Sequence, residues 1–360
     1  MKKAPAFKAH AWIVGGAALA IFIGAVVVPH AAATRYDRGK PLSSIVENIQ
    51  KHIEEPPKLD TEAYDKKMRY LAHVEEASTT STSTPKGLWP VTDAPYPNVG
   101  AILPFKRIVA YYGNFYSTKM GILGEYDKGT VLAKLKSEKA AWEAADPQTP
   151  VVMGIDYIAV TAQGSPQADG TYKLRMPEEH IQRAIDMANE VDGIVILELQ
   201  VGLSTFQKEI PLLEKYLSLP NVHLALDPEF SMKGGEKPGS VIGTLGSADV
   251  NYAANYLAEL VKAHNLPPKI LVIHRFTEKM VTGYQNFTPL PEVQMVMVMD
   301  GWGFGAKKIN TYKQVIYPEP VQFTGFKLFY KNDLKPPSTR MLTPSEILEL
   351  TPSPSFIQYQ

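Results

Sequence analysis

From residue 106 to the end of the chain, short apolar runs alternate with longer stretches of helical periodicity. No other feature constrains the fold as tightly. Strands that alternate with amphipathic helices form parallel βαβ units. The strand readings are 107–113 (RIVAYYG), 151–160 (VVMGIDYIAV), 193–200 (GIVILELQ), 221–230 (NVHLALDPEF), 269–276 (KILVIHRF), 293–300 (VQMVMVMD), 325–330 (GFKLFY) and 355–360 (SFIQYQ). Helices are predicted at 129–145, 177–189, 206–217, 248–264 and 344–350. Eight such units in roughly 250 residues match a closed (β/α)8 barrel. The crossover 302–324 shows little helical periodicity and is the weakest of the set. A doubly wound open sheet competes with this reading, but it would carry a Gly-rich phosphate loop after its first strand. The chain reads NFYSTKMGILGEY there, and G-x-x-x-x-G-K-[ST] occurs nowhere in it. The expected fold class is α/β, a TIM-type barrel over 106–360.

The barrel is preceded by three segments. Lys2, Lys3 and Lys8 stand before an apolar run over 11–28, with Ala31 and Ala33 as an A-x-A cleavage signal. Residues 1–33 therefore read as a signal anchor or a signal peptide. The run lies between the length of a signal core and that of a spanning helix, nearer the latter. The barrel is expected outside the cytoplasm, membrane-anchored, or secreted if the segment is cleaved. Residues 34–76 hold two amphipathic helices, with Leu42, Ile45, Val46, Ile49 and Ile53 on the first and Leu59, Tyr64, Met68 and Leu71 on the second. They read as a helical stalk. Residues 77–105 form a Ser/Thr/Pro-rich linker and lead-in.

Composition excludes several functions. Lys and Arg number 37 and Asp and Glu 37, so there is no bulk charge to draw nucleic acid. The chain has no cysteine, which removes disulfides, thiol catalysis and zinc–thiolate sites.

In a barrel of this type the active groups sit at the C-terminal strand ends. Strand parity then selects candidates. The first strand offers Tyr111 or Tyr112, and the second Asp156. The third offers Glu198 and Gln200 on one face. The fourth offers Asp227 and Glu229, read as i and i+2 on one strand face. The fifth offers His274 or Arg275, on opposite faces. The sixth offers Asp300, with Trp302 beyond it as a flat platform for a sugar. The seventh offers Lys327 or Tyr330, and the eighth Gln358 or Tyr359. Any one of these residues has a purely structural use, as a turn cap or a core histidine. A ring of acids requires a substrate, a metal or mutual neutralisation.

Crowded carboxylates of this kind suit glycoside hydrolysis, which needs a proton donor with a raised pKa and a second carboxylate. Glu229, with the longer arm, is the expected acid. Asp227 or Asp300 is the expected nucleophile, base or charge stabiliser. Asp156, Glu198, Gln200, His274, Trp302 and Tyr112 are the expected substrate-binding residues. No metal is expected in this reading.

LDPEF at the end of the fourth strand resembles the D-x-E signature of barrel muramidases and the acidic fourth-strand motif of chitinase-like glycoside hydrolases. The muramidase pattern carries an acid at the first strand, where this chain has VAYYG. Over most of 107–360, YYGNF, LDPEFSM, SADVN, LVIHRFT and GFKLFY resemble an uncharacterised group of secreted or lipoprotein-type bacterial barrels. The resemblance implies a barrel at the bacterial envelope, and the carboxylate reading gives a glycan or cell-wall polymer as its expected partner. Two alternatives stand beside it. One is a divalent-metal phosphodiesterase using Mg or Ca. The other is a non-catalytic glycan-binding or scaffold barrel.

Overall fold

A computed structural model of the protein describes residues 58–74 and 87–360. The expected anchor, the first stalk helix and the 77–85 linker lie outside the described residues. Among the described residues no helix is long and apolar enough to cross a membrane.

Eight parallel strands close into a barrel: β1 (Arg107–Gly113), β2 (Val151–Ala162), β3 (Ile194–Leu199), β4 (Val222–Leu226), β5 (Lys269–Arg275), β6 (Val293–Met299), β7 (Phe323–Leu328) and β8 (Phe356–Tyr359). Each pairs with the next, and β1 closes the ring by pairing with both β2 and β8. The closing registers set Tyr112 beside Asp156 and Lys327 beside Gln358. The expected TIM-type fold is therefore observed. Strands buried on both faces read as continuous apolar runs, which is why they stand out in the sequence.

Six helices are named here: α1 (Thr61–Leu71), α2 (Lys128–Ala145), α3 (Glu178–Asn189), α4 (Ser247–His264), α5 (Gly305–Thr311) and α6 (Pro344–Leu348). Asp127 caps α2, its carboxylate accepting from the Thr130 N–H at 3.0 Å. The helix expected over 206–217 is broken into an α, a 3-10 and a second α segment. Pro211 lacks the N–H that a continuous helix would use there.

One crossover differs from expectation, and another holds no α-helix. The one between β6 and β7 does contain a helix, α5 followed by a π turn over Tyr312–Ile316. The one between β5 and β6 holds only two 3-10 turns, Glu278–Met280 and Tyr284–Asn286. Its Val281–Thr282 pairs instead with Leu245–Gly246.

The fourth strand also ends early. Residues 221–230 were expected to be one strand, but β4 stops at Leu226 and Pro228–Phe230 is a 3-10 turn. Proline cannot continue a ladder. Asp227 and Glu229 are therefore joined by a turn, not by strand alternation. The Glu229 N–H donates to Asp227 Oδ1 at 2.9 Å.

The lower interior is apolar, with Ile108, Ala110, Ile194, Ile196, Ala225, Ile270, Val272, Val296, Val298, Phe323 and Phe356 in one cluster. Tyr64 and Met68 of α1 and Leu103 of the lead-in join it from below. Gln294 clamps that lead-in: its side-chain carbonyl accepts from Ile102 and Leu103 N–H at 3.0 and 3.1 Å, and its amide donates to the Leu103 carbonyl at 2.6 Å. With the floor closed, the open end is the C-terminal one.

Space inside the barrel is tight at Gly325, where an added Cβ would lie 2.6 Å from Val298 Cγ2 and 2.9 Å from the Phe356 carbonyl oxygen. Overpacking of this kind costs about 1–3 kcal/mol. Gly325→Val is expected to lower unfolding stability by that amount in a urea titration, with the m-value unchanged.

Candidate active site

Above the apolar cluster, the eight strands or the residues just past them supply a polar ring: Tyr112, Asp156, Glu198, Asp227, His274, Asp300, Lys327 and Gln358. The ring closes the bottom of a cavity of about 480 Å³. Tyr112, Gln200, Asp227, Glu229, Asp300, Trp302 and Lys327 line it, together with Phe230, Phe276 and Phe329. Asp156, Glu198 and His274 are not among the lining residues. They lie beneath them, fully buried.

The structure decides the open parities. His274 faces inward. Arg275 faces outward and donates to the carbonyls of Thr277 and Glu278 at 3.1 and 2.7 Å, and to the Glu319 carboxylate. Tyr112 faces inward, whereas Tyr111 meets Tyr330 outside the barrel at 2.9 Å. Lys327 and Gln358 face inward and join the site. The sequence offers each as one of two residues at its strand end, and neither is among the expected catalytic or substrate-binding residues.

Charges alternate across the ring. Lys327 Nζ lies 3.1 Å from Asp300 Oδ1. Asp300 Oδ2 lies 3.1 Å from His274 Nδ1, and His274 Nε2 lies 3.0 Å from Glu198 Oε2. The histidine contacts are at ion-pair distance but off the alignment of a hydrogen bond. Lys327 also sits over the Tyr112 ring, 3.8 Å from its centroid.

Gln200 ties the acids together. Its side-chain carbonyl accepts from the Ala162 N–H at 3.2 Å, which fixes the amide orientation. Its NH2 then faces Glu198 Oε1, Asp227 Oδ2 and the Tyr112 hydroxyl, each at 3.2 Å. Tyr112 donates to Glu198 Oε1 at 2.9 Å.

These contacts split the carboxyls into two kinds. Burial pushes Glu229 up, Asp300 and Glu198 push it further, and Lys327 and His274 only partly oppose this; its pKa stands at about 7. Burial and the Glu198 charge hold Asp227 well above the carboxylate range. Burial, then Glu198, raises Asp156 to about 8. Asp300 behaves in the opposite way. Burial alone would raise it, but Lys327 and His274 outweigh burial and hold it below its ordinary value. Burial would likewise drive His274 to neutrality, yet Glu198 and Asp300 outweigh it and keep the imidazolium.

At the rim, Trp302 is 48% exposed and has Lys307 and Lys335 near its ring. Its loop is held from below. Buried Asp333 accepts from the Gly303 and Phe329 N–H groups at 2.9 Å each and from Lys308 at 2.5 Å. The loops that follow β6 and β7 are thereby fixed to one carboxylate.

No family model and no curated protein matches the chain. Among solved structures it is similar to a GH5-4 broad-specificity endoglucanase from Clostridium longisporum, at 10% identity and a TM-score of 0.35, over 65% of this chain and 76% of that one. It is similar to the Bacillus subtilis mannanase man26 at 12% identity and a TM-score of 0.36, over 71% and 79%. It is also similar to Plasmodium falciparum HPPK-DHPS at 9% identity and a TM-score of 0.31, over 71% and 44%. These three are not described as members of the secreted or lipoprotein-type barrels that the sequence resembles. Similarity at this level assigns no activity, so the functional reading rests on the cavity's own chemistry.

Proposed function

We propose that the barrel hydrolyses a glycosidic bond, with Glu229 as proton donor and Asp300 as the ionised carboxylate. One observation carries the reading. Two acids lining the same cavity are pushed apart, Glu229 up to about 7 and Asp300 below its ordinary value. Divergence of this kind assigns acid and base roles. Glu229 gives its proton to the glycosidic oxygen as the bond to the anomeric carbon breaks. Asp300 stands opposite the positive charge that develops on the sugar. Water completes the reaction, and its second proton restores Glu229. Asp227 is a positioning residue, since its Oδ1 holds the Glu229 backbone and its Oδ2 accepts from Gln200. Phe230, Phe276 and Trp302 offer flat apolar faces for sugar rings.

The basic start and apolar run of residues 1–33 support an envelope location, and hence an envelope polysaccharide or peptidoglycan as substrate. Reducing-end release from a panel of such glycans tests the activity. Binding to every member of the panel without release from any would overturn it.

The pH dependence follows from the two acids. Glu229 acts only while protonated, so kcat/KM is expected to fall about tenfold per pH unit above about 7. Asp300 acts only while ionised, so the acidic limb is expected below the usual carboxylate range. A pH–rate profile on the released product measures both limbs.

A further inference from the structure

We propose a divalent-cation site inside the barrel, beneath the cavity, held by Asp156, Glu198 and His274. One donor atom from each residue lies within 4.8 Å of the other two. All three side chains are buried, Asp156 and His274 completely.

The pattern of partners points to an ion. Each carboxylate has one oxygen held by a hydrogen bond, and the imidazole has one nitrogen at ion-pair distance from Asp300. Asp156 Oδ2 accepts from Gln358 at 2.5 Å. Glu198 Oε1 accepts from Tyr112 and Gln200 at 2.9 and 3.2 Å. His274 Nδ1 faces Asp300 at 3.1 Å, and Lys327 in turn holds Asp300. Of the other ends, Glu198 Oε2 and His274 Nε2 face each other at 3.0 Å, off the alignment of a hydrogen bond, and Asp156 Oδ1 has no hydrogen-bond partner. Buried carboxylate oxygens left bare are costly and rare. Ligand atoms whose outer ends are oriented by hydrogen bonds are the usual surroundings of a bound metal, with the second histidine nitrogen on a carboxylate.

The dimensions agree. Glu198 Oε2 and His274 Nε2 are 3.0 Å apart. Adjacent ligands on a six-coordinate ion with bonds of about 2.1 Å are separated by ~3 Å. Gln358 Oε1 is also buried and unpartnered, which makes it a candidate fourth donor. Metal binding releases the protons of its ligands, so the ion takes the place of the proton on His274 and of the one on Asp156, and the two carboxylates then balance its charge. Two carboxylates, one imidazole and one amide oxygen suit a Mn²⁺-class ion better than Ca²⁺. Because its ligands lie below the cavity, the ion sets the position of Tyr112 and Gln200 and does not meet the substrate directly.

The test uses the full chain, dialysed against chelator and titrated with Mn²⁺. One equivalent is expected to bind, and pulsed EPR is expected to show coupling to one imidazole nitrogen. At a hundredfold excess over Kd the melting temperature is expected to rise by about 5 °C. Asp156→Asn is expected to lose the bound equivalent with its circular dichroism unchanged. No binding at millimolar Mn²⁺ would overturn the site. So would bound Mn²⁺ without nitrogen coupling, or binding undiminished in a folded Asp156→Asn. If that variant does not fold, the wild-type EPR decides alone. Glycan release is measured separately through Glu229, so failure of one proposal leaves the other standing.

Discussion

Glu229→Gln is expected to lower kcat/KM for glycan hydrolysis by about 10²–10⁴-fold, the usual contribution of a positioned general acid. The substitution keeps the shape of the side chain and removes only its proton. The backbone link from the Glu229 N–H to Asp227 Oδ1 does not involve the side chain and survives. Fold and glycan binding are therefore expected to stay close to wild type. The alkaline limb near pH 7 belongs to the Glu229 carboxyl and is expected to vanish from the residual activity. Steady-state rates across a pH series, with circular dichroism of the same samples, check all three. Full activity in this variant would remove Glu229 from the chemistry.

Lys327→Met has the largest expected effect on stability. Lys327 is the cation beside Asp300 in the ring and also covers the face of Tyr112. Burial opposes its charge, but Asp300, Glu198 and Asp227 outweigh burial and keep it protonated. Methionine fills similar volume and leaves the acids without this charge. Removing one partner of a buried ion pair typically costs about 3–5 kcal/mol. Urea unfolding at pH 7 is expected to show a loss of that size.

The loss depends on pH in a definite direction. Asp300 has its folded pKa depressed, so the stability it contributes is present above the unfolded carboxylate value of about 4. Wild type sheds that contribution as pH falls through the folded pKa of Asp300. The variant has little of it to shed. The difference between the two is therefore expected to narrow on the acidic side of pH 4 and to stay constant toward neutrality. A gap that widened at acidic pH would contradict the network.

How much of this was legible in the sequence depended on what each segment buries. All eight barrel strands could be read, because each is buried on both faces and mostly apolar. The same property hid their register, since Ile270 and Leu271 are equally buried on opposite faces of β5. That is why His274 and Arg275 could not be told apart before the packing was known. The helix α5 was missed for a different reason. Its inward stripe with the following π turn is Lys308, Tyr312 and Ile316, all buried at helical spacing. Two of those three are polar, and they are buried only because Asp333 and the Pro352 carbonyl receive their donors and Thr324 pairs with the Tyr312 hydroxyl. Hydrophobic periodicity does not register such a face. The fourth strand was read too long because LDPEF continues the alternation through Pro228. Asp227 and Glu229 nonetheless reach the same cavity, through a turn that the proline starts. Lys327 and Gln358 needed register information that only closure of the ring supplies.

Glu229 and Asp300 line one cavity and hold their protons very differently. Carbon-13 NMR of the side-chain carboxyls, assigned through Glu229→Gln and Asp300→Asn, measures it directly. The Glu229 carboxyl is expected to titrate near 7 while Asp300 stays ionised to below the ordinary carboxylate range. A Glu229 midpoint at the unperturbed value of about 4.3 would contradict it.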